Sequence, residues 1–107
     1  MNRRILKVSA MVITATVIAA IAWFIYWPKR YDEGLNRIQN GDPIQTVQKI
    51  MGRDGGVERC GTMVDAPAGC AEELVYSDPG APMLPQYWII WFDTSQHVVG
   101  KFKAISV

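Results

Sequence analysis

Acidic side chains are missing from the first 31 residues, whereas the rest of the chain contains all 10 of them and only six basic residues. This acidic region lacks the basic stripe that phosphate contacts require, so nucleic-acid binding is not expected. The whole chain has one histidine and two cysteines, which are few residues for a metal centre or a nucleophilic catalytic set. The sequence therefore divides into a basic leader and an acidic region.

The chain is also short. Its 107 residues are too few for two domains or for a Rossmann-type sheet. We expect residues 1–30 to form a cytoplasmic basic tail and a membrane anchor, and residues 31–107 to form one small domain. A domain of this size gains little stability from its hydrophobic core alone, which predicts an additional covalent constraint.

Residues 8–27 contain no charged side chain. As a helix, these 20 residues would span roughly the 30 Å apolar core of a bilayer, and they have no polar face that would favour a surface helix. The run therefore predicts a transmembrane helix in contact with lipid, with its boundary at Pro28. Side chains suited to the headgroup level lie at this end of the run: Trp23, Tyr26, Trp27, Lys29 and Arg30.

A cleaved signal peptide is the alternative, because Ala20-Ile21-Ala22 follows a basic start and resembles a cleavage site. Cleavage there would leave a mature chain that begins with an apolar stub at Trp23, which favours the uncleaved anchor. Basic residues are equally frequent on the two sides of the span. The free amino terminus then favours an orientation with the amino terminus in the cytoplasm.

Cys60 and Cys70 enclose a short loop that contains glycine and proline, and their spacing matches no common redox or zinc motif. We predict a disulfide between them; the alternative is a pair of free buried thiols. A disulfide persists only in an oxidising compartment. This prediction therefore places residues 31–107 in the periplasm and the anchor in the inner membrane.

Two short helices are predicted at the start of the domain. Asp42 and Pro43 begin a capping-box pattern for a helix that ends before Gly52. Another helix is expected before it, between residues 31 and 40. Apolar residues on one side of the capped helix indicate that it packs on a neighbouring layer.

Segments rich in β-branched and aromatic residues follow, and they favour strands over residues 57–64, 73–76, 86–93 and 98–105. The last two would form a terminal hairpin. The proline-rich segment 78–85 is predicted to be an exposed connection. Helices followed by a short antiparallel sheet define an α+β fold with two layers, the helices lying on one face of the sheet.

The spacing of apolar and turn residues around the second predicted helix resembles the helical signature of the BamE (SmpA/OmlA-like) family. The matching residues are Leu35, Ile38, Gly41, Asp42, Val47, Ile50 and Gly52, and Trp91-Phe92-Asp93 resembles that family's closing hairpin. The resemblance covers about 70 residues. It implies an ααβββ fold and a scaffolding role in outer-membrane protein assembly. The lipid-bearing N-terminal cysteine of that family has no counterpart in this leader.

Catalytic patterns are absent from the sequence. His97 lies at a predicted turn, where an exposed imidazole is rarely catalytic, and no serine or cysteine has a neighbouring base. Asp65, Glu72 and Glu73 surround a predicted loop and are interpreted as solvated surface. We therefore expect no enzyme activity, no metal, no cofactor and no small-molecule substrate.

The strand over residues 87–92 carries large apolar side chains on both faces. We expect one parity (Tyr87, Ile89 and Trp91) to cover the helices, and the other to form an exposed patch with a lysine rim. This patch is a candidate partner-binding site with the residues Trp88, Ile90, Phe92, Lys101 and Lys103. It requires a two-residue hairpin loop. The alternatives are that the proline-rich segment covers this face, or that another loop length moves the lysines to the opposite face.

These features together predict a single-pass protein of the inner membrane, whose periplasmic domain is an interaction or scaffold module for another envelope protein. A pilin-like structural subunit is the alternative, because such a subunit also combines an N-terminal apolar helix with a C-terminal cysteine loop. The prepilin cleavage signature is missing from the leader, which favours the scaffold.

Overall fold

The computed structural model describes residues 3–78 and 85–105. Within these residues the elements are α1 (Arg3–Arg37), α2 (Ile44–Met51), β1 (Gly56–Glu58), β2 (Glu72–Ser77), β3 (Gln86–Phe92) and β4 (Val98–Ile105). The strands form one antiparallel sheet in the order β1-β2-β3-β4. The predicted α+β class is confirmed. Most of the proline-rich connection, residues 79–84, lies outside the described residues.

Helix α1 is continuous over 35 residues and contains Pro28 in its interior. The predicted interruption at Pro28, with a separate helix after it, is wrong. A proline removes one backbone N–H and displaces one carbonyl, but the turns on both sides of it remain helical. After Pro28, Tyr31 and Leu35 are buried in the domain, and their packing stabilises the helix beyond the proline. The apolar segment therefore passes into the domain without a linker.

The N-terminal part of α1 is long and apolar enough to cross a membrane. Its side chains protrude from the domain and are exposed. The hydroxyls of Thr14 and Thr16 donate hydrogen bonds to the carbonyls of Ala10 and Val12, at 2.9 and 2.8 Å. The two polar groups are thus satisfied within the helix, as an apolar surrounding requires.

Helix α2 begins without the predicted capping box. The Asp42 carboxylate accepts a hydrogen bond from the backbone N–H of Gln39 at 2.9 Å, so it does not cap the helix. Pro43 has extended backbone and precedes the helix instead of forming its first turn. The N–H of Ile44 donates to the carbonyl of Gln96 at 2.9 Å. The turn between β3 and β4 therefore satisfies the start of α2.

The two helices approach each other closely at Gly34. A Cβ atom at this position would lie 2.6 Å from the sulfur of Met51, so a larger residue would push the helices apart. Helix α2 then ends at Gly52, whose φ of +97° is unfavourable for residues with a side chain. Gly34 thus permits the close approach of the two helices, and Gly52 ends α2.

The strand boundaries follow the predictions except at β1. The strand expected over residues 57–64 is reduced to three residues, because the chain turns into the cysteine loop after Glu58. In the terminal hairpin, Trp88 pairs with Lys103, so the two residues share a face as predicted. The turn is longer than two residues, since the N–H of Asp93 donates to the carbonyl of His97 at 2.9 Å. A bulge between Trp91 and Phe92 compensates for this length and preserves the register of β3 and β4.

The hydrophobic core lies between the two helices and one face of the sheet. The helical layer contributes Tyr31, Leu35, Val47, Met51 and, directly after α1, Ile38, and the strands contribute Leu74, Tyr76, Trp88, Ile90, Phe92 and Val98. Aromatic rings join the two layers, with 5.6 Å between the ring centres of Tyr31 and Tyr76. The C-terminal turns of α1 are thus part of the core of the domain.

The pKa of Tyr76 predicts a loss of domain stability at alkaline pH. Burial, and then the nearby Tyr31 and Asp54, raise the pKa of Tyr76 to about 12, and its hydroxyl donates to the carbonyl of Gly52 at 2.7 Å. An unfolded chain releases a tyrosine proton near pH 10. The stability that this proton contributes is therefore complete below about pH 10 and is lost as the pH rises towards about 12.

Urea unfolding of the full chain in detergent at pH 8, 10 and 11.5 measures this loss. The fall in unfolding free energy should be smaller in Tyr76→Phe than in the original chain. Tyr26→Phe, in the exposed apolar part of α1, is the matched control and should leave the pH dependence unchanged. Equal pH dependence in all three proteins would contradict the assignment to Tyr76.

Candidate functional site

The predicted partner patch on β3 lies in the core. Trp88, Ile90 and Phe92 each have a relative exposure of 0% and belong to the cluster that packs against α1 and α2. The predicted assignment of the two strand faces is therefore wrong. Both faces of β3 carry large apolar side chains, so alternation alone does not identify the face that meets the helices.

Lys101 and Lys103 share the core face of the hairpin, as the predicted register requires. They do not surround an exposed patch, because both contact α1. The Nζ atom of Lys101 donates hydrogen bonds to the carbonyls of Leu35 and Ile38, at 2.6 and 2.7 Å. Carbonyls at a helix end have no partner within the helix, and the helix dipole favours a cation there. Lys101 therefore fastens the end of α1 to β4.

Asp32 forms a second contact between α1 and the sheet. Its carboxylate accepts a hydrogen bond from Nε1 of Trp88 at 2.8 Å and forms an ion pair with Lys103 at 2.8 Å. The Lys103 ammonium also lies 5.6 Å from the centre of the Trp88 ring. Asp32 is not among the predicted site residues, because no sequence signal distinguishes it from the adjacent Glu33.

Replacing Lys101 by methionine should weaken the attachment of α1. The substitution keeps much of the side-chain volume but removes a charged donor from two helix-end carbonyls, and we expect a loss of about 1–2 kcal/mol of unfolding free energy. Lys49→Met, on the exposed side of α2, is the matched control and should change stability little. Urea unfolding followed by tryptophan fluorescence measures both. Equal effects of the two substitutions would contradict the role of Lys101.

The predicted disulfide is confirmed. Cys60 and Cys70 are bonded, with 6.2 Å between their Cα atoms. The loop between them lies against the face of the sheet that is turned away from the helices, which we call the outer face. The N–H of Thr62 donates to Oε1 of Glu73 at 3.0 Å. Glu73 is fully buried, so its interpretation as solvated surface is wrong.

The outer face is also largely covered. Ile89 and Trp91, which we expected to face the helices, are buried on this side, with relative exposures of 0% and 5%. Pro67 of the cysteine loop lies close to Gly100. A Cβ atom at position 100 would lie 3.2 Å from the ring of Pro67 and 3.0 Å from the ring of Trp91. A glycine at position 100 therefore permits the loop to pack on β3 and β4.

A buried donor and a buried acceptor lack hydrogen-bond partners on this side of the described sheet. Glu73 and Trp91 are directly paired across β2 and β3. Oε2 of Glu73 and Nε1 of Trp91 are both buried, and neither has a hydrogen-bond partner among the described residues.

The far edge of β4 is one of the two edges of the sheet. No described strand pairs with this edge. Only its beginning is covered, because Val98 exchanges hydrogen bonds with Gly41 and Asp42, at 2.7 and 2.9 Å. Farther along the strand, Phe102 and Ile105 are exposed large apolar side chains.

The residues predicted for the membrane boundary follow one another along α1. The ring of Trp27 lies 5.3 Å from that of Trp23 and 5.8 Å from that of Tyr31, and Trp27 packs against the core. The Arg30 guanidinium lies 5.2 Å from the centre of the Trp27 ring. Aromatic contacts thus connect the end of the apolar segment to the core of the domain, while Lys29 and Tyr26 lie on the surface of the helix.

The described residues offer little for catalysis. Within residues 3–78 and 85–105, no group of three His, Cys, Asp or Glu side chains could hold a metal ion. His97 is exposed in the turn before β4. No protein-family model, curated protein or solved structure matches this chain.

Proposed function

We propose that this chain is a membrane-anchored interaction module of the bacterial cell envelope. In this proposal α1 crosses the inner membrane, and the disulfide-bonded domain lies in the periplasm, where it binds another envelope protein. One observation carries the proposal: the apolar segment and the helix that builds the domain core are parts of the same uninterrupted α1.

The contacts at the end of α1 support this role. Lys101 and the cluster of Asp32, Trp88 and Lys103 fix the helix to the sheet through hydrogen bonds and an ion pair. A domain held in this way keeps one orientation relative to its helix. Such an arrangement suits a protein that presents a binding surface at a membrane, since loss of orientational freedom on binding is reduced.

The disulfide supports the periplasmic location. The bond between Cys60 and Cys70 would not persist in a reducing cytoplasm. The described part of the chain contains no free cysteine that would exchange with it. The anchor orientation with a cytoplasmic amino terminus follows from this placement.

The resemblance to the BamE (SmpA/OmlA-like) family supports a narrower proposal, in which the module assists outer-membrane protein assembly. Two helical segments before an antiparallel sheet, with a terminal hairpin, agree in outline with the layout that the resemblance implies. Two differences remain, because α1 extends through the apolar segment and β1 adds a short strand at the edge of the sheet.

The proposal is tested on the full chain in its own envelope. The tagged chain is crosslinked in intact cells, extracted with detergent and purified, and we expect one discrete envelope protein to be enriched with it. Trp88→Ala is the matched control, because it keeps the apolar segment but removes the central side chain of the domain core. The control should remain in the membrane fraction and lose the partner.

Topology gives an independent readout. In spheroplasts, added protease should digest the domain, and both cysteines should resist alkylation until a reductant is added. Protection of the domain from protease would contradict the periplasmic location. Recovery of the same proteins with the chain and with Trp88→Ala would contradict an interaction through the folded domain.

A further inference from the structure

We propose that the open edge of β4 is the partner-binding surface, and that its occupant is an extended segment of another envelope protein that adds a strand to the sheet. The segment combines acidic side chains with apolar ones. This inference deepens the proposed function and rests on it.

The backbone of β4 is available for pairing. Beyond Val98, whose backbone is bonded to Gly41 and Asp42, the described residues leave the far side of β4 unpaired. β4 has eight residues, whereas β1 at the opposite edge has three, so β4 is the edge long enough for strand addition. An unpaired row of N–H and C=O groups is a template for another strand.

The lysines of β4 do not protect this edge. Natural sheets often block an edge strand with lysine side chains. Here Lys101 and Lys103 point towards α1, where they bind helix-end carbonyls and Asp32. Their engagement leaves the backbone of the strand accessible.

An apolar side chain marks the outer side of the same edge. Phe102 is 46% exposed, and its ring lies 6.4 Å from that of Trp91. Ala104 is the next residue on the outer face. A strand added beside β4 would bring every second side chain next to Phe102 and Ala104. This contact favours apolar residues at alternate positions of the occupant.

The charge on the other side favours acidic residues. The ammonium of Lys101 is bonded to neutral carbonyls, so its charge is not neutralised by a carboxylate in these contacts. Arg37 lies in the last turn of α1, which also contains the Leu35 carbonyl that Lys101 binds, and its side chain is exposed. These positive charges stand out in a region in which acids outnumber basic residues. A partner segment with carboxylates at the intervening positions is complementary to this side.

A second copy of the chain does not fit the edge. Lys101 reaches Leu35 and Ile38, and Lys103 reaches Asp32, so β4 runs in the opposite direction to α1. All copies anchored in one membrane therefore have β4 pointing towards that membrane. Antiparallel pairing of two identical edges about a two-fold axis requires opposite strand directions, which copies with this shared orientation do not have.

Site-specific photocrosslinking in the full chain tests the inference. A photoreactive amino acid replaces Phe102 or Ala104, and Val57 on β1, which is 65% exposed, is the matched control position. We expect adducts from positions 102 and 104 that map two residues apart in one partner segment, because strand addition has this period. Phe102→Lys should abolish the adduct from position 104, whereas Val57→Lys should preserve it.

The possible outcomes separate the two proposals. Adducts of twice the 12.0 kDa chain mass would overturn the choice of occupant, and adducts scattered over a partner would overturn strand addition. A partner that is crosslinked from position 57 but not from 102 or 104 would overturn the edge while leaving the interaction module intact. No partner from any position, in a chain with an unchanged unfolding midpoint, would overturn both.

Discussion

Replacing Trp88 by alanine should unfold the domain or leave it barely stable. The side chain has 0% exposure, and its indole packs 4.9 Å from the ring of Tyr31 and donates a hydrogen bond to Asp32. Truncation leaves a cavity and removes the indole donor from Asp32, whose carboxylate keeps only its ion pair with Lys103, and we expect a loss of about 3–5 kcal/mol. This is a large part of the stability of so small a domain. Urea unfolding followed by near-ultraviolet circular dichroism measures the loss.

Phe102→Ala is the control for this experiment. It also removes an aromatic ring from the terminal hairpin, but from a side chain that is 46% exposed on the outer face. We expect a loss of less than about 1.5 kcal/mol, since partial exposure limits the burial that is lost. Similar losses for the two variants would show that the faces of β3 and β4 are not as different as their exposures indicate.

Removing the disulfide should have the next largest effect. Replacing Cys60 and Cys70 together by serine opens a ring with a sequence separation of 10 and should cost about 2.5–3 kcal/mol, as the loop-entropy model predicts. Because the cysteine loop covers Trp91, its release should also shift the tryptophan emission towards longer wavelengths. Reduction of the original chain should reproduce both changes.

The serine variant itself provides the control, since reductant should not change its unfolding curve. An unfolding free energy that is the same with and without the disulfide would contradict the expected contribution. It would indicate that the hydrogen bond from Thr62 to Glu73 and the packing of Pro67 hold the loop in place without the bond.

Several features could be predicted because their signals are local. The apolar segment of residues 8–27 is visible in the absence of charge, and the pairing of Cys60 with Cys70 follows from their number and spacing. Both of these signals depend on residues that are close in sequence. The pairing of Trp88 with Lys103 agrees with the prediction only because the bulge between Trp91 and Phe92 offsets the longer turn.

The incorrect predictions have a common cause. In each case, contacts with residues distant in sequence decide the structure, and the local pattern does not reveal them. The core face of β3 is decided by what covers each side, and the cysteine loop supplies a cover for Trp91 that no periodicity reveals. Asp42 fits a capping box, but the β3–β4 turn satisfies the start of α2. Pro28 is compatible with a helix end, but the burial of Tyr31 stabilises the helix beyond it.

The role of Lys101 could not be inferred for the same reason. Its two carbonyl acceptors are more than 60 residues away in the chain, at sequence separations of 66 and 63. Hydrogen bonds of this kind depend on the finished packing of α1 against the sheet. They also explain why the lysines of the hairpin are attached to the helix and do not form the rim of an exposed patch.

Because α1 is unbroken, a tilt of its apolar segment in a membrane would move the whole domain. The molecule is 68 Å long, and α1 begins five residues before the apolar segment, so about 30 Å of the molecule would stand beyond a bilayer core of about 30 Å on the side of the domain. A helix tilt of about 20°, which is ordinary for membrane spans, would then move the far end of the domain sideways by roughly 10 Å. With no linker to absorb this movement, a change in membrane thickness would be converted into a displacement of β4. A partner bound to that strand would be carried with it.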